Sequence, residues 1–592
     1  MKKFLTGNEA VARGAYEAGV TFASAYPGTP STEILENIAP YKEYMYSEWA
    51  PNEKVALETA IGASIAGARA LAAMKHVGVN VAADPLFTYS YTGVNGGLVL
   101  VSADDPGMHS SQNEQDNRYY AKFSKVAMVE PSDSQEAKDF VKTALEISEK
   151  YDTPVLLRLT TRICHSKTLV ELGEREEVGI KTYKKNIPKY VATPANARVL
   201  HIKVEERLKQ LEKFSNETDL NKIEWNDSKI GIVTSGIAYQ YAKEVFGDDA
   251  SYLKLGFTHP LPMKKIKEFA DKVEILYVIE ELEPYMEEQM KAAGIKCIGK
   301  ESIPRIGELN PDIIAKAILN EERPIIEYSE DEIVGRPPTL CAGCPHRGFF
   351  YMLSKKKNVM ITGDIGCYTL GSAQPLSSMD TCICMGASVS AGHGAQKAFE
   401  FNKVDKKVIG VIGDSTFFHS GITGLMDIVY NKGNAVTVIL DNRITGMTGH
   451  QENPGTGYTL QGEKTHAINI PMLCEAIGVK NENIFVINPL NLDACNKAID
   501  DALSREEPAV IITEWPCVLK KLSTEDIEKF GKGKRMICKV DEEKCKACRI
   551  CTKTGCPAIS FDKKAKINED MCVGCDVCLQ ACPFDAIIKV GE

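Results

Sequence analysis

Nineteen cysteines in a 592-residue chain are many, and eight of them fall in one short stretch. Cys545-x2-Cys548-x2-Cys551-x4-Cys556-Pro557 is followed by Cys572-x2-Cys575-x2-Cys578-x3-Cys582-Pro583. In a reducing compartment thiols spaced like this are metal ligands rather than disulfide partners. Two repeats of four thiolates suit two iron–sulfur cubanes, although zinc also accepts four thiolates. A second group is scattered: Cys341-Ala342-Gly343-Cys344, then Cys367 and Cys517 behind two apolar runs. Four thiolates from three strand ends can meet at one point, and the ligands alone do not choose the metal. Cys382 and Cys384 read as core or loop thiols.

Oxygen ligands come from residues 410–451. The apolar run 408–412 ends in Gly413-Asp414, and the run 435–440 ends in Asp441-Asn442. Residues 421–430 between them have helical character, so the stretch reads as strand, crossover helix and parallel strand. That places Asp414 and Asn442 at the carboxyl ends of two strands, where open parallel sheets bind ligands. A carboxylate and an amide oxygen suit Mg²⁺, which also takes phosphate oxygens. The glycine-rich stretch 386–394, GASVSAGHG, lets a helix terminus approach a diphosphate. The plain alternative is an ordinary βαβ unit with acidic strand ends.

Three further places can carry chemistry. Tyr26-Pro27-Gly28-Thr29-Pro30 is a turn directly after an apolar run. Residues 52–74 read as one Ala- and Gly-rich helix with Glu58 among apolar neighbours. A buried carboxylate there needs a partner; Glu48 and Glu53 are alternatives, and a solvent-facing acid is the plain reading. The loop 101–118 gathers Asp104, Asp105, His109, Ser110, Ser111, Gln112 and Asn113. It is either an active-site loop or a solvated loop with helix caps.

These residues need a scaffold. Apolar runs at 20–25, 77–82, 97–101 and 154–159 alternate with helical periodicity, a doubly wound α/β pattern. Thr6-x-x-Glu9 is a capping box that opens a helix. Residues 176–227 are charged and read as a connecting helix and linker. A compact α/β pattern returns from Lys229 and closes near Asn320. Pro337-Pro338 marks a new start. The expected division is 1–190, linker 191–227, 228–330, 335–525 and 535–592. No apolar run reaches the roughly 18–20 residues of a membrane span, and the first residues do not read as a signal peptide. A net charge of −10 argues against nucleic acid and anionic membrane as partners.

The motifs together carry a resemblance. The stretch from Gly413-Asp414 to Asp441-Asn442 resembles the thiamine-diphosphate motif, which usually begins Gly-Asp-Gly and ends Asn-Asn; here Ser415 and Asp441 depart from it. The last cysteines follow the bacterial two-cluster ferredoxin pattern. That pattern implies one [4Fe–4S] cluster on Cys545, Cys548, Cys551 and Cys582, and another on Cys572, Cys575, Cys578 and Cys556. With Tyr-Pro-Gly-Thr-Pro, LCAGCPHR, GDSTFFHSG and DNRITGMTGHQ, nearly the whole chain resembles the 2-oxoacid:ferredoxin oxidoreductases. Within them it is most similar to the α subunits that act on indolepyruvate.

The resemblance implies a multidomain α/β fold: a pyrimidine-type domain, a transketolase-C-like domain, a diphosphate domain and a ferredoxin domain. It implies Mg²⁺ on Asp414, Asn442 and the Ile444 carbonyl, with Gly413 and Ser415 beside the cofactor. Glu58 would contact the pyrimidine ring and Thr29 the 2-oxo acid. Cys341, Cys344, Cys367 and Cys517 would hold a third cluster near thiamine diphosphate. Pyruvate-specific relatives carry an arginine where Asp104 aligns and an asparagine where Met447 aligns. A soft thioether suits an aryl group, so both departures favour an arylpyruvate, with Arg118 or His109 as replacement carboxylate partner. The implied partners are coenzyme A, ferredoxin and a smaller β subunit in an α2β2 assembly, in the cytoplasm of an anaerobe.

Overall fold

The computed structural model describes residues 1–324, 329, 331, 333–531 and 536–590. The expected boundary residues Glu330 and Arg535, and the last two residues Gly591 and Glu592, lie outside the described residues. The chain divides into two compact units, Met1–Tyr328 and Ser329–Glu592.

Among its described residues the first unit holds a seven-stranded sheet in the order Phe257–His259, Ala127–Val129, Val155–Thr160, Leu98–Asp104, Ala70–Lys75, Phe22–Ala25, Tyr46–Trp49. Its pairings are parallel except that of Phe257–His259 with Ala127–Val129. Strands buried on both faces need continuous apolar runs, and Leu98–Asp104 and Val155–Thr160 are buried throughout. Thr6 and Glu9 form the reciprocal capping box that starts the helix Gly7–Glu17. A smaller sheet pairs Ile275–Ile279, Ile230–Ser235 and Ser251–Leu255 in parallel, with Asn221–Glu224 antiparallel at its edge. The helix Pro194–Glu217 buries Leu200, Val204, Leu211 and Ser215. That spacing gives the helix one packed face, so this segment is more than a solvated connector.

Two expectations fail here. Residues 52–74 are not one helix: Glu53–Ala66 is helical, Gly67 ends it at φ +106°, and Ala70–Lys75 is a central strand. Residues 77–82 are not a strand but belong to the helix His76–Val81. An Ala-rich strand buried on both faces has no period of two, so its composition imitates helix.

Among its described residues the second unit holds a six-stranded parallel sheet. Its order is Thr381–Cys382, Val359–Gly363, Lys407–Gly413, Val436–Asp441, Ala509–Glu514, Ile484–Ile487. The helix Ile422–Tyr430 links Lys407–Gly413 to Val436–Asp441, as the apolar runs imply. Two short antiparallel pairs follow: Ile537–Val540 with Ile587–Val590, and Ile559–Asp562 with Lys564–Ile567. Among the described residues no helix is long and apolar enough to cross a membrane.

Candidate active site

In the first unit the candidate groups collect at the carboxyl edge of Phe22–Ala25, Ala70–Lys75 and Leu98–Asp104. Glu53 opens its helix and is 4% exposed. Its side chain comes so close to Gly78 that a Cβ there would lie 2.7 Å from the Glu53 Cγ. Glu58 does not meet the expectation of burial. Its side chain is 44% exposed and pairs with Lys54 one turn earlier, which is the plain role of a solvent-facing helix acid. Glu48 is partly buried and accepts from the Tyr46 hydroxyl at 2.9 Å.

The turn at Thr29 touches the 104–118 loop, because Ser110 Oγ donates to the Thr29 carbonyl at 3.3 Å. His109 is 45% exposed in its side chain and lies 3.2 Å from Glu308. Glu308 also takes Arg162. Asp104 is fully buried and takes Arg158 Nε at 2.7 Å. Burial raises its pKa to about 6 against the pull of Arg158.

Arg118 cannot serve as the substrate's carboxylate partner. It is 1% exposed, holds Asp116 at 2.5 Å and Glu280 at 2.6 Å, and donates to the carbonyls of Glu281 and Glu283. Its donors are spent inside the fold.

In the second unit, the parallel register of Gly413 with Leu440 puts Asp414 and Asp441-Asn442 at one edge. Asp414, Ser415, Asp441, Asn442 and Ile444 are all buried. Burial, then the neighbouring Asp441 charge, pushes the Asp414 pKa up; burial also raises Asp441. Two buried acids whose ionised forms are disfavoured are what a bound cation would restore. Asp414 Oδ2 accepts from Asn453 at 3.0 Å, and Asn442 Oδ1 from the Ile444 N–H at 3.3 Å. The donor set fits Mg²⁺: carboxylate, amide oxygen and nearby backbone carbonyl. Ser415, the residue out of pattern, bonds Thr445 Oγ1 at 2.9 Å and so ties the two ends of the motif together. Met447 stands on the same loop, 55% exposed.

The glycine-rich helix is otherwise engaged. It runs Ala387–Phe401, and Asp364 takes the amides of Gly386 and Ser388, both at 3.0 Å. A carboxylate already fills the place expected for a diphosphate.

The thiols form three groups. Cys545, Cys548, Cys551 and Cys582 line one cavity, three from one repeat and one from the other. Cys575 lies among Cys556, Cys572 and Cys578. Its thiol is pushed up to about 11, first by burial and then by Cys556, Cys538 and Cys572. Cys367, Cys344 and Cys517 are raised by burial and by one another or by Cys341. Among the described residues no three His, Cys, Asp or Glu side chains close on a single-ion site.

Against this geometry, comparison with known proteins is decisive. The indolepyruvate oxidoreductase subunit IorA of Archaeoglobus fulgidus is 42% identical over 617 residues, covering 99% of this chain and 97% of that protein. The subunit of the same name from Pyrococcus horikoshii is 41% identical over 641 residues, with 100% and 97% covered. The chain belongs to the indolepyruvate oxidoreductase subunit IorA family. It is thus an oxidoreductase subunit that acts on 2-oxo acids, uses thiamine diphosphate and carries iron–sulfur clusters.

Three domain families agree. The pyruvate flavodoxin/ferredoxin oxidoreductase thiamine-diphosphate-binding family matches residues 13–228. The thiamine pyrophosphate enzyme C-terminal TPP-binding domain matches residues 364–513, and the 4Fe-4S binding domain residues 565–588. The 2-oxoglutarate synthase subunit KorA of Methanothermobacter thermautotrophicus is 26% identical over 378 residues, 54% of this chain and 99% of that protein.

Within an IorA-type chain, the residue that sequence reading overlooked is Arg347. It is 2% exposed, accepted by the carbonyls of Leu340, Cys341 (2.9 Å) and Thr554 (3.0 Å). It thereby fastens the Cys341–Cys344 turn to the ferredoxin-like segment. Gly343 shows how tight the join is, since a Cβ there would lie 2.1 Å from Val573. The only sequence signal was an arginine next to Cys-Pro-His.

Proposed function

We propose that this subunit oxidatively decarboxylates arylpyruvates, indolepyruvate and phenylpyruvate, with coenzyme A, giving the aryl-acetyl-CoA and CO₂ and reducing ferredoxin. One observation carries the reading. The Cys517 N–H donates to the Asn442 carbonyl at 2.9 Å, and the cavity beside Cys517 is also lined by Cys575. An oxygen-ligand edge and a thiolate route to the ferredoxin-like segment therefore meet in one unit.

Bound thiamine diphosphate supplies the electron sink for the loss of CO₂. The residues then divide the work. Asp414, the Asn442 side-chain oxygen and the Ile444 carbonyl hold Mg²⁺, with Gly413 and Ser415 shaping that edge. Glu53, buried where Glu58 is not, hydrogen-bonds the pyrimidine ring. Thr29 hydrogen-bonds the 2-oxo acid, and Met447 offers its thioether to the aryl group.

Cys341, Cys344, Cys367 and Cys517 hold the cluster at the Asn442 edge. Cys556, Cys572, Cys575 and Cys578 hold the next, and Cys545, Cys548, Cys551 and Cys582 the last. The five-part division at 1–190, 191–227, 228–330, 335–525 and 535–592 assigns each task to a domain. A smaller β subunit, an α2β2 assembly and the cytoplasm of an anaerobe complete the reading.

The test is an anaerobic steady-state assay of the chain with its partner subunit, coenzyme A and viologen. The expected kcat/KM for indolepyruvate exceeds that for pyruvate by about 10- to 200-fold, the range that apolar pockets deliver. A preference for pyruvate, or product without viologen reduction, would overturn the reading.

A further inference from the structure

We propose that Lys75 binds the carboxylate of the 2-oxo acid, an inference that rests on the 2-oxo acid reading above. Lys75 is the last residue of Ala70–Lys75, the strand flanked by Phe22–Ala25 on one side and Leu98–Asp104 on the other. The chain leaving the first neighbour forms the Thr29 turn; the chain leaving the second forms the 104–118 loop. The Lys75 ammonium thus stands at the sheet edge between both segments.

Its contacts leave it free to bind. The aliphatic stem lies against Gly28: a Cβ added there would sit 3.5 Å from both Cβ and Cγ of Lys75. Nζ donates to the Ser110 carbonyl at 3.0 Å. Among the described residues it makes no other hydrogen bond and no ion pair. An ammonium has three donors, so two remain for a ligand.

The neighbouring acids do not satisfy it. Asp104 is held by Arg158 at 2.7 Å. Asp105 is filled by the Ser110 N–H at 2.8 Å, Ser111 Oγ at 2.6 Å and Thr161 Oγ1 at 2.7 Å. Burial holds the Lys75 pKa down at about 8, while the Asp105 and Glu53 charges pull it up. An incoming carboxylate would supply the direct ion pair that this half-buried cation lacks.

Chemistry favours the substrate as that partner. Every 2-oxo acid brings one carboxylate. Arg118 is locked in the fold, and His109 is on the exposed side of the loop beside Glu308. Lys75 is the cation at this edge that lies beside the Thr29 turn and remains uncommitted.

The experiment compares Lys75→Met and Lys75→Arg with the parent chain, each in its complex with the partner subunit. A charge-assisted hydrogen bond lost to methionine predicts a KM for indolepyruvate raised about 10- to 150-fold, with a smaller change in kcat. Arginine is expected to recover part of it. Binding of indolelactate, which keeps the carboxylate but lacks the keto group, is expected to weaken in parallel. Thiamine-diphosphate content and unfolding temperature are expected to stay at the parent values.

An unchanged KM and an unchanged indolelactate affinity in an active Lys75→Met complex would overturn the inference. So would loss of thiamine diphosphate without loss of indolelactate affinity, which would make Lys75 a cofactor contact. A parent complex that turns over no 2-oxo acid would instead refute the functional reading itself.

Discussion

Glu53→Gln is expected to lower kcat by about 10²- to 10⁴-fold, the usual contribution of a positioned acid–base group, while the chain still retains thiamine diphosphate. Glu58→Gln is expected to leave kcat near the parent value, since that side chain is exposed and paired with Lys54, and to change stability by no more than about 0.5 kcal/mol. The contrast follows from burial. Glu53 lies in a recess that Gly78 opens for it, whereas Glu58 faces water beside Lys54. Glutamine keeps the shape of the side chain and removes its charge, so folding is spared and the proton-handling group is lost. Steady-state viologen reduction and cofactor content decide the matter. A large loss in Glu58→Gln, with Glu53→Gln unaffected, would reverse the assignment.

Arg118→Met is expected to destabilise the first unit by about 3–5 kcal/mol, the penalty for breaking a buried ion pair from one side. The reason is the charge left behind. Arg118 and Arg158 are surrounded by Asp104, Asp116, Glu130 and Glu280, all buried. Methionine is close in volume but removes the cation that Glu280 is paired with and leaves Asp116 only the more distant Arg158, at 3.8 Å. The network also joins the large sheet to the smaller one, because Asp116 and Glu280 follow strands of different sheets. Anaerobic denaturant unfolding of the complex measures the loss. An Arg118→Met chain of parental stability with a raised KM for indolepyruvate would return Arg118 to the role of substrate ligand.

How far the sequence could be read depends on where each signal resides. The strands that deliver Asp414 and Asn442 were legible because a buried parallel strand needs a continuous apolar run, and each run ends abruptly in polar residues. The cysteine spacing was legible because three ligands of a cubane come from one short loop. The capping box at Thr6 and Glu9 was legible because it is wholly local.

Glu53 was not separable from Glu58. They stand five residues apart on one helix, about 140° around it, and small residues on every side give no apolar stripe to say which face is inward. The deciding contact is Gly78, on another element. Arg118 was misread for the same reason: its partner Glu280 is 162 residues away. The helix at 386–394 was correctly read as glycine-rich, but the Asp364 that occupies its amides comes from a different strand end. Interactions within one turn or one loop are written in sequence; interactions between elements emerge only on folding.

The most direct test of the central claim is a single anaerobic turnover followed by electron paramagnetic resonance, without any external acceptor. The chain with its partner subunit, thiamine diphosphate, Mg²⁺ and coenzyme A is mixed with indolepyruvate and frozen. A thiamine-diphosphate edge wired to cysteine-held clusters predicts reduced [4Fe–4S] signals that depend on both the 2-oxo acid and thiamine diphosphate. Clusters that dithionite reduces but indolepyruvate, phenylpyruvate and pyruvate all leave oxidised would contradict it.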